Sequence, residues 1–123
     1  MITVAPVKDK DEINSYYEKV GIKPNDESGC VVAGSGEEVL GFCLYTLTVK
    51  GITVLYITPQ DDLSMADGIL RSALHVAASR SAMDARYEGE NTEILLSKLG
   101  FILDKRDKKI DIDKLFKGCG CNS

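Results

Sequence analysis

The sequence predicts a single α+β domain built on a central, mostly antiparallel mixed sheet. Three apolar runs, at residues 30–33, 38–49 and 52–58, are joined by connections too short for a crossover, so neighbouring runs must pair antiparallel. Both faces of these runs are apolar, which predicts helices on both sides of the sheet. With 123 residues, the chain is long enough for one domain with its own core.

The first half of the chain places one helix before the meander. Residues 2–7 are short and β-branched, which is typical of a strand. Residues 9–20 form an amphipathic helix with acidic residues in its first turn, and Gly21 is placed to end it. Its apolar face comprises Ile13, Tyr16, Tyr17 and Val20. Residues 22–29 are predicted as a loop, and Gly41 predicts a bulge in the meander.

The second half alternates helices with shorter strands. The predicted elements are a helix at 68–81, a strand at 83–88, a helix at 91–99 and strands at 101–103 and 110–116. Gly100 ends the second of these helices. The element order is therefore β-α-β-β-β-α-β-α-β-β, a meander followed by helix–strand crossovers.

Residues 54–77 are the most informative stretch, because a strand leads through an acidic loop into a helix at Gly68. The first turn of a helix has free backbone N–H groups and a partial positive charge, which suits a phosphate-bearing ligand. The loop carries Asp61, Asp62 and Asp67, whose charge has the same sign as a phosphate. The stretch therefore predicts an anion site of reduced strength.

Three short segments of this chain resemble the GNAT superfamily of N-acetyltransferases. Ile-Thr-Pro at 57–59 matches the apolar-x-Pro end of the family's fourth strand. Gly-Ile-Leu-Arg-Ser-Ala-Leu at 68–74 resembles the join between the family's glycine-containing loop and its helix. Lys-Leu-Gly-Phe at 98–101 matches the signature after the family's last helix. With the element order, the resemblance covers nearly the whole chain.

The resemblance implies a GNAT-like (acyl-CoA N-acyltransferase) fold and transfer of acetyl from acetyl-CoA to an amine. In the family, the loop cradles the CoA pyrophosphate and the fourth strand's backbone holds the acetyl group. Carried over, the cofactor-binding residues are Ile57, Thr58, Met65, Ala66, Asp67, Gly68 and Ile69. The family's usual tyrosine falls on Leu96, so the catalytic side chain stays unassigned. Tyr45, Tyr56 and Tyr87 are open candidates.

The departures from the family pattern leave a second hypothesis open: a GNAT-like domain without catalysis that acts as a binding or regulatory module. Residues 1–117 form the predicted domain, and 118–123 form a flexible tail with Cys119 and Cys121. Two cysteines one residue apart can face one metal ion, but a closed zinc site needs four ligands. A tail with two reactive thiols is therefore favoured over a metal site.

Composition and charge limit the partners and the compartment. The net charge is -4 and the pI is about 5, so no nucleic-acid partner is expected. No apolar run is long enough for a membrane span, and no signal peptide is recognised, which predicts a cytoplasmic protein. Cys30 and Cys43 are expected to be reduced core residues. The expected partners are a small-molecule or peptide amine, and a second copy of the chain along an exposed sheet edge.

Overall fold

A computed structural model describes residues 2–81 and 84–117, which form one sheet of seven strands with helices on both faces. The strands are β1 (Ile2–Pro6), β2 (Ser28–Ser35), β3 (Glu38–Leu47), β4 (Gly51–Thr58), β5 (Asp84–Tyr87), β6 (Ile102–Asp104) and β7 (Lys109–Ile110). The helices are α1 (Lys10–Val20), α2 (Leu63–Ser79), α3 (Glu90–Leu99) and α4 (Lys114–Lys117). The strand order is β1-β2-β3-β4-β5-β7-β6; among the described strands, β4 and β5 pair parallel and the other neighbours pair antiparallel. The predicted mixed, mostly antiparallel sheet is confirmed.

The two faces of the sheet are covered by different helices. One face packs against α1, in a core of Ile13, Tyr16, Tyr17, Cys30, Phe42 and Leu44. The other face holds the larger core, which α2 and α3 share and which includes Ile57, Leu74, Leu96 and Phe101. Both α1 and α3 end at a glycine in the left-handed region, Gly21 at φ +74° and Gly100 at φ +76°. Both terminators are as predicted.

Helix α2 begins at Leu63, not at the predicted Gly68. The cause is Asp62, whose side chain accepts the Met65 N–H at 3.1 Å and caps the helix. In the sequence, Asp61, Asp62 and Asp67 are predicted to lie in a loop. Asp62 instead starts the helix, and residues 63–67 supply its first turns.

The end of the chain is less strand-like than predicted. The predicted strand at 110–116 is wrong, because β7 ends at Ile110 and a short helix follows. Ile112 N–H donates to Ile110 O and Leu115 N–H donates to Ile112 O, both at 3.0 Å, so the backbone turns here. Ile112 and Leu115 are buried in the larger core, which explains the apolar alternation without a strand.

The meander cysteines are core residues, as predicted. Cys30 and Cys43 are both free and fully buried. Burial raises the pKa of the Cys30 thiol to about 12 and also raises the pKa of the Cys43 thiol, so both stay protonated and unreactive. Cys119 and Cys121 lie outside the described residues.

Candidate functional site

The parallel pairing of β4 and β5 ends part-way along β4. Residues 51–54 pair with 84–87, and Glu88 N–H then donates to Val54 O at 2.9 Å. Residues 55–58 continue beside β3 with no β5 partner. The last part of β4 therefore has a free edge on the β5 side, just before the chain turns into α2.

A bulge in β4 directs additional backbone groups to this edge. The register against β3 shifts at this point, and Leu55 is the extra residue. Val54 O accepts from Glu88 N–H, and Leu55 O accepts from the Thr92 hydroxyl of α3 at 3.2 Å. Consecutive carbonyls of a regular strand point to opposite edges. Here both point to the same edge, which is the consequence of the bulge.

The bulge brings the backbone of Ile57 to the free edge. The C=O and N–H of one peptide unit point in opposite directions, so Leu55 O at this edge directs the Tyr56 N–H toward β3. Regular alternation then returns the Ile57 N–H to the free edge. Ile57 is 1% exposed, so its N–H lies in a water-poor environment where a hydrogen bond is strong. Thr58, the last residue of β4, is half-buried.

The positive end of α2 is already partly neutralised by the chain itself. The Asp62 carboxylate lies at the N-terminus of α2. Its Oδ1 accepts a hydrogen bond from the Met65 N–H, and the Asp62 backbone carbonyl accepts one from the Ala66 N–H. A carboxylate is favourable there, for the same reason that a phosphate would be. An anionic ligand must therefore use the remaining N–H groups or displace the Asp62 side chain. Met65 itself is half-buried.

The second turn of α2 is more open to a ligand. Asp67 forms an ion pair with Arg71 at 2.8 Å, so this carboxylate is offset by a cation of the same helix. Gly68 is exposed, and a Cβ there would meet no atom within 4 Å. Ala66 and Ile69 are fully buried and face the core. Of the cofactor-binding residues predicted on α2, the surface of this turn thus presents Asp67 and Gly68.

The three candidate tyrosines do not converge on the free edge. The Tyr87 hydroxyl donates to Glu93 Oε1 at 2.7 Å, and burial raises its pKa to about 12. Tyr56 packs its ring 5.9 Å from that of Phe42. Tyr45 lines a cavity beside the other end of α2. No catalytic hydroxyl is assigned.

Helix α3 supplies two side chains that the sequence did not single out. Thr92 bonds Leu55 O, and Glu93 bonds the Tyr87 hydroxyl. Both residue types are common on exposed helix faces, so no sequence signal marked them. Leu96, at the position of the family's tyrosine, is fully buried.

Residues 2–81 and 84–117 contain neither a metal-binding cluster nor a membrane-spanning helix. In these ranges, no group of three or more His, Cys, Asp and Glu side chains is arranged to hold a metal ion. Within the same ranges, every helix is too short or too polar to cross a membrane.

No family model and no curated protein matches this sequence, but solved structures match its fold. A Desulfovibrio desulfuricans protein assigned to the GNAT family of acetyltransferases has a TM-score of 0.60 and 12% identity, over 85% of this chain and 87% of that chain. A chain of the KacTA–DNA complex has a TM-score of 0.61 and 12% identity, over 96% and 99%. A variant of the AtaT toxin, bound to the C-terminus of the antitoxin AtaR and to acetyl-CoA, has a TM-score of 0.58 and 12% identity, over 94% and 98%. The chain therefore has the GNAT fold, as its resemblance to that superfamily implied.

Proposed function

We propose that the protein binds acetyl-CoA at the free edge of β4 and transfers the acetyl group to an amine. The observation that carries this proposal is the bulge at Leu55, which turns the Ile57 N–H toward an edge where β5 has ended. A buried backbone donor suits the carbonyl oxygen of a thioester, because negative charge grows there during attack. The fold shared with the AtaT variant, whose structure contains acetyl-CoA, supports this choice of ligand.

In this reaction the neutral amine nitrogen attacks the thioester carbon, the carbon–sulfur bond breaks, and CoA leaves as a thiol after taking up the proton that the amine loses. The Ile57 N–H stabilises the oxyanion, and the diphosphate lies against the first turns of α2. Positioning and backbone polarisation supply most of the rate enhancement. The acceptor is a small-molecule or peptide amine of the cytoplasm, consistent with the net charge of -4.

Asp62→Asn is expected to strengthen acetyl-CoA binding several-fold. Asparagine caps a helix about as well as aspartate but carries no charge to oppose the diphosphate. Calorimetric titration at low salt measures the change. Asp9→Asn is the matched control, because Asp9 is the N-cap of α1 and its Oδ1 accepts from the Asp11 N–H. Equal affinity for the Asp62 variant and the wild-type protein would place the diphosphate elsewhere.

Gly68→Trp is expected to abolish the thermal shift caused by acetyl-CoA. For the wild-type protein, ligand at a hundred times its dissociation constant stabilises the fold by about 2.7 kcal/mol. The indole would occupy the open space beside α2 without disturbing the core, because nothing packs on Gly68. Melting curves with and without acetyl-CoA test both proteins. A wild-type protein without any shift at millimolar ligand would exclude the cofactor, and an unchanged shift in the variant would exclude this surface.

A binding or regulatory domain without catalysis is the second candidate, and three observations favour it. Asp62 caps the N-terminus of α2, the Thr92 hydroxyl donates to Leu55 O, and Leu96 stands where the family has its tyrosine. Such a domain would bind CoA or acetyl-CoA without releasing thiol in the presence of amines. A thiol-release assay across a panel of amines, run on protein with a demonstrated shift, separates the two candidates.

A further inference from the structure

A cavity of about 540 Å³ lies beside the C-terminal end of α2, away from the candidate acetyl-CoA site. The helix has 17 residues, so its two ends are about 25 Å apart. Ile13 of α1, Leu47 of β3 and Val76 of α2 give the cavity an apolar wall. It adjoins a second cavity of about 440 Å³, with which it shares Glu27, Leu47 and Arg80. The proposed acetyl transfer uses none of these groups.

Tyr45 contributes a buried hydroxyl to this cavity. The residue is 4% exposed, and its ring lies across Gly29 of the neighbouring strand, where a Cβ would come within 2.6 Å of Tyr45 Cζ. The Tyr17 hydroxyl donates to Tyr45 O at 2.6 Å and to Gly29 O at 3.1 Å, which fixes the two strands beneath the ring. Tyr45 therefore has little freedom to turn its own hydroxyl elsewhere.

The Tyr45 hydroxyl has no hydrogen-bond partner among residues 2–81 and 84–117. A buried hydroxyl without a partner is unfavourable, so it is suited to an acceptor that enters the cavity. Burial raises its pKa to about 12, while the charge of Arg80 acts in the opposite direction. The group therefore stays protonated and remains a donor, and Arg80 lines the same cavity.

Arg80 and Glu27 both border the cavity, and they carry opposite charges. In the described part of the chain neither forms an ion pair, either with the other or with another side chain. Both side chains are exposed at the rim of the cavity, where a molecule with both charges can pair with each of them. Lys8 and Asp26 also line the cavity; Asp26 lies 3.9 Å from Lys10.

We propose that this cavity binds a free α-amino acid with an apolar side chain. The carboxylate accepts from the Tyr45 hydroxyl and pairs with Arg80, the ammonium group pairs with Glu27, and the side chain lies on Leu47 and Val76. An anion alone would leave Glu27 facing a like charge, and a cation alone would leave the Tyr45 donor without an acceptor. The zwitterion satisfies all three groups.

Tyr45→Phe is expected to weaken the binding of L-leucine about tenfold or more, because it removes one hydrogen bond to a charged group. Its fold is retained, because the lost hydroxyl has no described protein partner and the ring still covers Gly29. Calorimetric titration with L-leucine and L-phenylalanine measures binding. N-acetyl-leucine and leucinamide, which each lack one charge, should bind more weakly than leucine.

Arg80→Gln and Glu27→Gln should each weaken binding, while Lys50→Gln should leave it unchanged. Lys50 is an exposed cation in the β3–β4 turn that does not line the cavity. The site is absent if the wild-type protein binds neither amino acid at millimolar concentration, or if Tyr45→Phe binds as well as wild type. Equal binding of leucine and N-acetyl-leucine would contradict the proposal that the ligand must carry both charges. Acetyl-CoA should not compete, so this result is independent of the proposed transferase activity.

Discussion

Phe101→Ala is expected to lower the free energy of unfolding by about 4 kcal/mol. Phe101 is fully buried, and its N–H donates to Leu96 O at 3.0 Å where α3 ends. Two cations also lie near its ring, with Arg71 Cζ 5.2 Å and Lys114 Nζ 4.9 Å from the centroid. Truncation removes the apolar burial and both cation–π contacts, and leaves a cavity. Urea unfolding followed by circular dichroism measures the loss.

Phe101→Leu separates packing from the cation–π contacts. Leucine restores most of the apolar contact but has no aromatic face, so a loss of about 1.5 kcal/mol is expected. A loss below about 1 kcal/mol for Phe101→Ala would contradict the view that this residue holds α2, α3 and the C-terminal segment together. The family signature at 98–101 thus has a structural role in this chain that is separate from catalysis.

The helix ends show how far local sequence rules extend. Gly21 and Gly100 were predicted correctly because a left-handed terminal residue strongly favours glycine, whatever the surroundings. The start of α2 was missed because Asp62 suits a loop as well as an N-cap, and only the chain direction after Pro59 decides between them. The strand at 110–116 was wrong because a short apolar alternation also occurs where a turn buries two residues such as Ile110 and Ile112.

The sequence predicted only those parts of the candidate site whose residues are neighbours in the chain. The step at 57–59 correctly marked the end of β4. The bulge at Leu55 was not predicted, because it is defined by pairing with another strand. Thr92 reaches Leu55 O across a separation of 37 residues, and such contacts depend on the assembled fold. The assignment of Ile57, Thr58 and the α2 residues to the cofactor remains a prediction.

The described fold does not require a glycine at position 68. A glycine inside a helix costs about 1 kcal/mol relative to alanine. Neither a positive φ nor a close neighbour requires it here, because a Cβ would meet no atom within 4 Å. Close approach of a ligand to the helix backbone is a remaining physical reason for a bare position. This supports the proposed diphosphate surface at the second turn of α2.

Gly41→Ala is expected to lower the free energy of unfolding by about 3 kcal/mol, near the upper end of the range for overpacked sites. A Cβ at this position would overlap Thr58 O and would lie 2.6 Å from Pro59 Cδ and 2.8 Å from Ile69 Cδ1. These atoms belong to the end of β4 and the buried face of α2, so relief requires the two elements to separate. The same displacement would move the Ile57 N–H and weaken the proposed binding of acetyl-CoA. Chemical unfolding and ligand titration measure the two effects.

Gly68→Ala provides the matched control, because it adds the same methyl group to α2 on the surface that faces away from β4. With open space around it in a helix, this change should raise the free energy of unfolding by about 0.5–1 kcal/mol. The opposite signs distinguish close packing at Gly41 from a general effect of replacing glycine. The bulge that Gly41 suggested lies beside it, since Ala33 pairs with Gly41 and Gly34 with Val39. A Gly41→Ala protein as stable as wild type would show that β4 and α2 are not locked together at this residue, and the Ile57 donor would then lose its rigid support.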